Sequence, residues 1–142
     1  MIEIWIPGDP PRATAQQKGF NRRTGRYYVK DSVRSAAARF DWYIAEAMRE
    51  QGIEEEITEP VMVGIRFAFA TSKKKLWGTP KPTRPDADNL AKQLIDELMA
   101  CRLLKDDALI WHLLIEKIWE RPERAGIYVA VTETEEGEKV TW

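Results

Sequence analysis

At 142 residues, the chain is long enough for one domain with a substantial core and too short for two. Apolar residues make up 44% and charged residues 32%, and no segment reaches the roughly eighteen apolar residues that a membrane span requires. The single cysteine, Cys101, excludes an internal disulfide and a cysteine-rich zinc site, and the net charge of −1 hides an uneven distribution. The N-terminus has no signal-peptide pattern, so we expect a cytoplasmic protein.

The first half of the chain predicts a strand, a basic arm and a helix. Isoleucines alternate with other residues over positions 2–6, and a Pro- and Gly-rich turn follows at 7–11. Thr24 and Gly25 predict the tip of a hairpin or arm with basic and aromatic flanks. Asp31 is a plausible N-cap for an amphipathic helix of about twenty residues, which Gly52 ends.

The second half predicts a strand at 61–69, a long polar loop at 71–85, a helix from about Asp86 to Cys101 and a last strand at 127–131. Long loops of this kind are often functional. Between the helix and the last strand, an alternating apolar face predicts a further strand through Leu109, Trp111, Leu113, Ile115 and Trp119. The order of these elements indicates a single α+β domain over residues 1–142, with a mixed, mostly antiparallel sheet packed against two main helices. We expect residues 133–142 to form a loose acidic tail.

The start of the second predicted helix carries an unusual polar stripe. Asp88, Lys92 and Asp96 follow each other at intervals of four residues, so they share one face of the helix, offset from its leucines. Asp86 and Asp88 fall in the first turn, where backbone N–H groups and the positive end of the helix dipole favour anions. Mg²⁺ prefers carboxylate oxygens, waters and substrate phosphate, so this stripe is a candidate site for metal and phosphate.

Asp106 and Asp107 lie in the turn after that helix and could return to the same place. Each acidic residue also has a simpler interpretation: Asp86 as an N-cap, Asp88 with Lys92 as an exposed pair, and the Asp106–Asp107 step as an ordinary turn. A Ca²⁺ loop is excluded because Leu90 stands where that loop requires another ligand. His112 is predicted to be a surface residue rather than a ligand, and Cys101 a small buried one.

Two basic segments without acids, residues 12–30 and 66–84, precede this cluster in the sequence, and they could bind phosphate groups. Ordinary charge scatter on a solvated surface is the alternative interpretation. The candidate DNA-binding residues are Arg12, Lys18, Arg22, Arg23, Arg26, Lys73, Lys74 and Lys75.

The pattern Asp86-x-Asp88-Asn89-x-x-Lys92-x-x-x-Asp96, followed by Asp106-Asp107, resembles the signature of RusA-type Holliday-junction resolvases. These are small dimeric endodeoxyribonucleases common in phages and prophages, and the resemblance covers roughly residues 61–132. It implies that Asp86, Asp88 and Asp107 bind the metal and that Lys92 is needed for cleavage. Asp106 is then an alternative ligand, and Asn89 and Asp96 are supporting residues.

The resemblance implies hydrolysis of phosphodiester bonds with Mg²⁺, or Mn²⁺, leaving 5′-phosphates, and a role in DNA recombination and repair. Branched DNA, above all the four-way junction, is the expected partner, and its symmetry suits a homodimer. The dimer surface could be the flank of the strand that begins at Leu109, or the first long helix. Trp77 could be a wedge at the branch point or a residue packed under its own loop. A DNA-binding module without catalysis and a metal-dependent nucleotide hydrolase are the alternative functions.

Overall fold

The computed structural model describes residues 1–13, 19–28, 31–135 and 139, and it confirms the predicted α+β class. Six residues of the expected acidic tail, 136–138 and 140–142, lie outside the described residues. In chain order the elements are β1 (Ile2–Pro7), β2 (Gly19–Asn21), β3 (Arg26–Tyr28), α1 (Asp31–Glu50), β4 (Val61–Ala70), α2 (Ala87–Ala100), β5 (Ile110–Glu120) and β6 (Gly126–Glu133).

Four strands form the main sheet in the order β1-β6-β4-β5. β6 pairs antiparallel with β1 and β4, whereas β5 pairs parallel with β4. The β4–β5 connection therefore crosses over through α2, as parallel neighbours require. β2 and β3 form a separate antiparallel hairpin whose tip contains the predicted Thr24–Gly25 turn.

The two helices pack together, α1 against β1 and α2 against β5. Burial alternates along the first part of β4. Four alternate residues are at most 3% exposed, while the residues between them are more accessible; the four are Val61, Val63, Ile65 and Phe67. This is the pattern of a sheet with one face on the core. Buried helix residues complete that core, among them Phe40, Ile44, Leu90, Leu94 and Leu98.

Glycine is required at two positions for different reasons. Gly52 has a φ of 68° and ends α1, because the next N–H, of Ile53, donates back to the carbonyl of Met48 at 2.8 Å. At Gly126, an added Cβ would overlap the Trp5 ring, so the missing side chain lets Trp5 pack directly against β6.

One sequence prediction is wrong in β5. Trp111 was expected on the apolar face with Leu113 and Ile115. Instead, Ile110 lines a cleft beside α2 with those two residues, whereas the Trp111 indole donates to the Thr134 hydroxyl at 2.6 Å. The register between β4 and β5 shifts at their first residues, so regular alternation does not extend back through Trp111. Within the described residues, neither helix is both long and apolar enough to cross a membrane.

Candidate active site

A cleft of about 310 Å³ lies between α2 and the start of β5. Asp88, Lys92 and Asp96 line it from α2, and Asp107 lines it from the 3₁₀ turn that leads into β5. The rest of the lining is apolar and consists of Ala91, Ile95, Ile110, Leu113 and Ile115. The crossover from β4 through α2 to β5 thus brings four of the predicted site residues to one place.

The polar stripe on α2 is solvent-accessible, as a substrate site requires. Lys92 forms an ion pair with Asp96 at 3.3 Å rather than with Asp88, and both partners keep about half of their side-chain surface exposed (61% and 48%). Exposed pairs of this kind contribute at most about 1 kcal/mol. Lys92 can therefore leave Asp96 at little cost when a phosphate enters the cleft.

Asp86 occupies the N-cap position of α2, but its side chain does not cap the helix. The carboxylate is exposed and accepts no hydrogen bond from the first turn, although the Leu90 N–H does donate to the Asp86 carbonyl at 3.1 Å. Asp86 is not among the residues that line the cleft. Its carboxylate is not used for capping, although Asp86 stands at the N-terminal end of the helix that carries Asp88.

Asp106 and Asp107 are neighbours with different environments. The Asp106 carboxylate accepts the Ala108 N–H at 2.9 Å and so caps the 3₁₀ turn Asp107–Leu109. That hydrogen bond, and then a side-chain hydrogen bond with Asp107, hold the pKa of Asp106 below its ordinary value. Asp107 is the one of the two that lines the cleft. The turn that the sequence suggested as an alternative interpretation does exist, and it uses Asp106.

The donor set is compatible with a hard divalent cation. Mg²⁺ commonly takes one or two protein carboxylates and completes its shell with waters and substrate phosphate. Asp88 and Asp107 supply two carboxylates on one cleft, and Asp86 is the N-cap residue of the same helix as Asp88. Within the described part of the chain, no three His, Cys, Asp or Glu side chains already lie close enough to enclose an ion. The fit to Mg²⁺ therefore rests on the two cleft carboxylates, Asp88 and Asp107, with waters and substrate phosphate as the remaining ligands.

Three other residues have clear positions. Asn89 is half-buried in α2 and does not line the cleft, and His112 is an exposed residue of β5 outside it, as expected. The Trp77 indole donates to the Thr71 carbonyl at 2.8 Å, and the Arg121 guanidinium lies 4.8 Å from its ring centre. Trp77 is therefore packed against its own loop, which agrees with the second interpretation of this residue.

The candidate DNA-binding residues fall into three groups. Arg22, Arg23 and Arg26 are exposed on the β2–β3 hairpin, and the three lysines 73–75 are exposed on the loop after β4. Arg12 is already engaged: its guanidinium contacts Asp9 at 2.8 Å and donates to the Ala70 carbonyl at 3.0 Å. Lys18 lies outside the described residues.

Sequence reasoning missed two lysines beside the site. Lys81 is only 4% exposed, and Lys117 of β5 donates to the carbonyls of Thr83 and Pro85, just before α2. Lys81 stands in a basic loop and resembles its exposed neighbours in sequence. No spacing pattern distinguishes a buried lysine from an exposed one there.

Comparison with known proteins finds similarity to one family of nucleases. The family model described as "Endodeoxyribonuclease RusA" matches residues 7–132 of the chain. A "Crossover junction endodeoxyribonuclease rusA" from Lactococcus phage r1t is 28% identical over 125 residues, which cover 88% of this chain and 92% of the phage protein.

Proposed function

This chain belongs to the RusA family of endodeoxyribonucleases, and from that premise we propose that it cuts four-way DNA junctions by metal-assisted phosphodiester hydrolysis. The observation that carries the proposal is that Asp88, Lys92 and Asp107 line one cleft. The relative from Lactococcus phage r1t, whose name specifies crossover junctions, supports the choice of substrate. Recombination and repair are the processes in which such junctions arise, and we place the activity in the cytoplasm.

Asp88 and Asp107, with Asp86, would hold Mg²⁺ or Mn²⁺, and Asp106 is the less favoured ligand because it caps its turn. The ion would supply polarisation of the scissile phosphate and a lowered pKa for an attacking water. The ammonium group of Lys92 stabilises the negative charge that develops on the phosphate oxygens. The products carry 5′-phosphates, because the bond to the 3′-oxygen breaks.

Asp96 has a supporting role in this scheme. It holds Lys92 at 3.3 Å on the cleft wall while the site is free of DNA. When a phosphate enters, the ammonium group exchanges one anionic partner for another at little cost. Asp96 thus keeps the cation of the site near its working position, and Asn89 extends the polar first turn.

The exposed basic groups of the β2–β3 hairpin and of residues 73–75 would supply the phosphate contacts. Contacts to phosphate position the duplex without reading its sequence, and they make binding salt-dependent. Branched DNA is then recognised by shape. Two symmetric strands must be cut in a four-way junction, so the proposal includes a homodimer with one cleft in each subunit.

The test uses a synthetic four-way junction labelled on each strand in turn, with Mg²⁺, with Mn²⁺ and with a chelator. The wild-type protein should make paired symmetric nicks that need the metal, and DNA ligase should reseal them because they carry 5′-phosphates. Asp88→Asn should abolish nicking and retain junction binding. Binding without any nicking would indicate the DNA-binding module, and hydrolysis of free nucleotides in place of junctions would indicate the nucleotide hydrolase.

A further inference from the structure

The ammonium groups of Lys81 and Lys117 form hydrogen bonds with residues 83–85, the segment that leads into α2. Lys81 Nζ donates to the Thr83 hydroxyl at 2.7 Å, to the Thr83 carbonyl at 3.2 Å and to the Arg84 carbonyl. Lys117 Nζ donates to the carbonyls of Thr83 and Pro85, both at 2.8 Å. Three consecutive carbonyls, at residues 83, 84 and 85, are therefore bound by lysine. The next residue in the chain is Asp86.

Lys81 lies in a buried environment, where a charged ammonium group destabilises the fold unless hydrogen bonds and favourable charge compensate for the lost hydration. Its side chain is 4% exposed, and its ammonium group lies 4.9 Å from the Phe69 ring centre and 4.8 Å from that of Trp119. Burial, and then the positive charge of Lys117, lower the pKa of Lys81. A buried ammonium group needs hydrogen bonds and favourable charge to be tolerated. Here two aromatic faces provide the favourable charge, and the oxygens of residues 83 and 84 provide the hydrogen bonds.

The two lysines also connect the two sides of the cleft. The Lys81 N–H donates to the Lys117 carbonyl at 2.9 Å, so the loop is attached to β5 by its backbone as well. Lys117 belongs to β5, the strand that directly follows the turn containing Asp107. The segment that starts α2 is thus fixed to β5, the strand into which the turn with Asp107 leads.

We propose that Lys81 and Lys117 are positioning residues for the metal-binding carboxylates: they fix the start of α2 relative to β5, so that Asp88 and Asp107 face one cleft. The proposal rests on the function proposed above for that cleft. Neither lysine touches DNA or the reacting atoms; both act through the backbone before Asp86. Their ammonium groups form hydrogen bonds within the protein, whereas Lys73, Lys74 and Lys75, on the loop that contains Lys81, are exposed.

The experiment compares Lys117→Met and Lys81→Met with the wild-type protein by three readouts. Amide hydrogen exchange of metal-free protein reports the order of the first turn of α2, calorimetry reports Mn²⁺ binding, and junction nicking reports activity as the metal is varied. Both variants should exchange faster at Leu90, whose N–H donates to the Asp86 carbonyl, and over the helical turn that follows it. They should also need at least about tenfold more metal, the usual loss when an outer-shell partner of a metal site is removed. The rate at saturating metal should fall much less.

Two controls separate positioning from charge and from folding. Lys139→Met removes an exposed ammonium group of the C-terminal segment and should leave all three readouts unchanged. Lys117→Arg keeps several N–H donors and should restore much of the metal affinity. If Lys81→Met does not fold, the half-buried Lys117 still provides the test.

The proposal is overturned if both lysine variants keep wild-type exchange and Mn²⁺ affinity, or if they weaken junction binding instead. The latter result would assign the lysines to DNA contact. Hydrogen exchange is measured without metal and without DNA, so it tests the positioning role even if the wild-type protein cuts no junction. Failure to cut would contradict the proposed function, whereas unchanged exchange would contradict the positioning role.

Discussion

Adjacent aspartates with the same chemistry can serve different purposes, and Asp106 and Asp107 are an example. Asp106 accepts the Ala108 N–H and shapes the turn, while Asp107 faces the cleft. A substitution that removes the charge but keeps a cap acceptor should therefore lower activity at Asp107 and change it little at Asp106. Asparagine is suitable because it caps helical turns as well as aspartate does.

We expect Asp107→Asn to lower the junction-nicking rate by at least about 100-fold, the upper end of what outer-shell changes at metal sites cost. Asp106→Asn should stay within about threefold of the wild-type rate, because the cap to Ala108 remains. Single-turnover nicking at saturating Mg²⁺ measures both. Equal losses in the two variants, or an active Asp107→Asn protein, would contradict this division of roles.

The sequence predicts which charged residues share a helix face, but not which charged side chains already have partners in the fold. The spacing of Asp88, Lys92 and Asp96 was sufficient to place them on one helix face, because helical periodicity is local. Whether a cation is free or engaged depends on distant partners. Arg12 looked like the exposed arginines of the hairpin, yet it holds the carbonyl of Ala70, 58 positions away. A charge pattern contains no such information.

At the scale of elements, the contact between α1 and α2 contains an acidic pair. Burial, then the hydrogen bond with Asp41 and its negative charge, and then the charge of Asp96 together raise the pKa of Glu97 to about 7. On the same helix, the Cys101 thiol lies 3.4 Å from the Asp41 carboxylate, and burial raises its pKa to about 12. Near neutral pH, Glu97 is therefore the group of this contact that changes charge.

This pair should make stability depend on pH. The pKa of Glu97 is raised from 4.5 to about 7, so the folded protein binds the proton more tightly than the unfolded chain does. The stabilisation is fully present at low pH and is lost as pH rises through about 7. Melting temperature should fall between pH 5 and pH 8, and Glu97→Gln should reduce that fall.

Glu50→Gln, at an exposed position at the end of α1, is the matched control and should leave the pH profile unchanged. Thermal unfolding monitored by circular dichroism at several pH values measures all three proteins. An equally steep profile in Glu97→Gln would show that the α1–α2 acidic pair is not the cause.

Most elements could be predicted from the sequence because their signals are short-range. The helix expected from Asp86 to Cys101 is observed as Ala87–Ala100 with those two residues as its caps. The hairpin tip, the end of α1 near Gly52 and the alternation in β4 are confirmed in the same way. The exception is Trp111, where the register shift between two strands changes the alternation, and no local pattern contains that information.

At the scale of the whole molecule, the order β1-β6-β4-β5 depends on strand pairings that no local pattern encodes. This order leaves β5 at an edge. The second half of that edge is covered by the preceding loop through the Pro80–Ile118 bridge. Leu113 and Leu114, in the first half, are 41% and 56% exposed, and no described strand pairs with their outer side. Open apolar edges tend to associate with other chains.

For the proposed homodimer we therefore expect the first half of β5 to matter more than α1. Leu114→Lys should convert dimer to monomer in size-exclusion chromatography with light scattering. Trp42→Lys, at a 60% exposed position on α1, should leave the dimer intact. Circular dichroism verifies that both variants remain folded. The reverse result would assign the interface to α1, the other surface that the sequence suggested.

The central claim is that Asp88 and Asp107, from separate elements, serve one metal-dependent nuclease centre. Anomalous diffraction from crystals grown with Mn²⁺ tests it most directly, because the signal locates the ion itself. The account predicts a Mn²⁺ peak at about 2.2 Å from carboxylate oxygens of both residues, a typical distance for such ligands. A peak bound elsewhere, or an ion that one of these carboxylates does not contact, would contradict it.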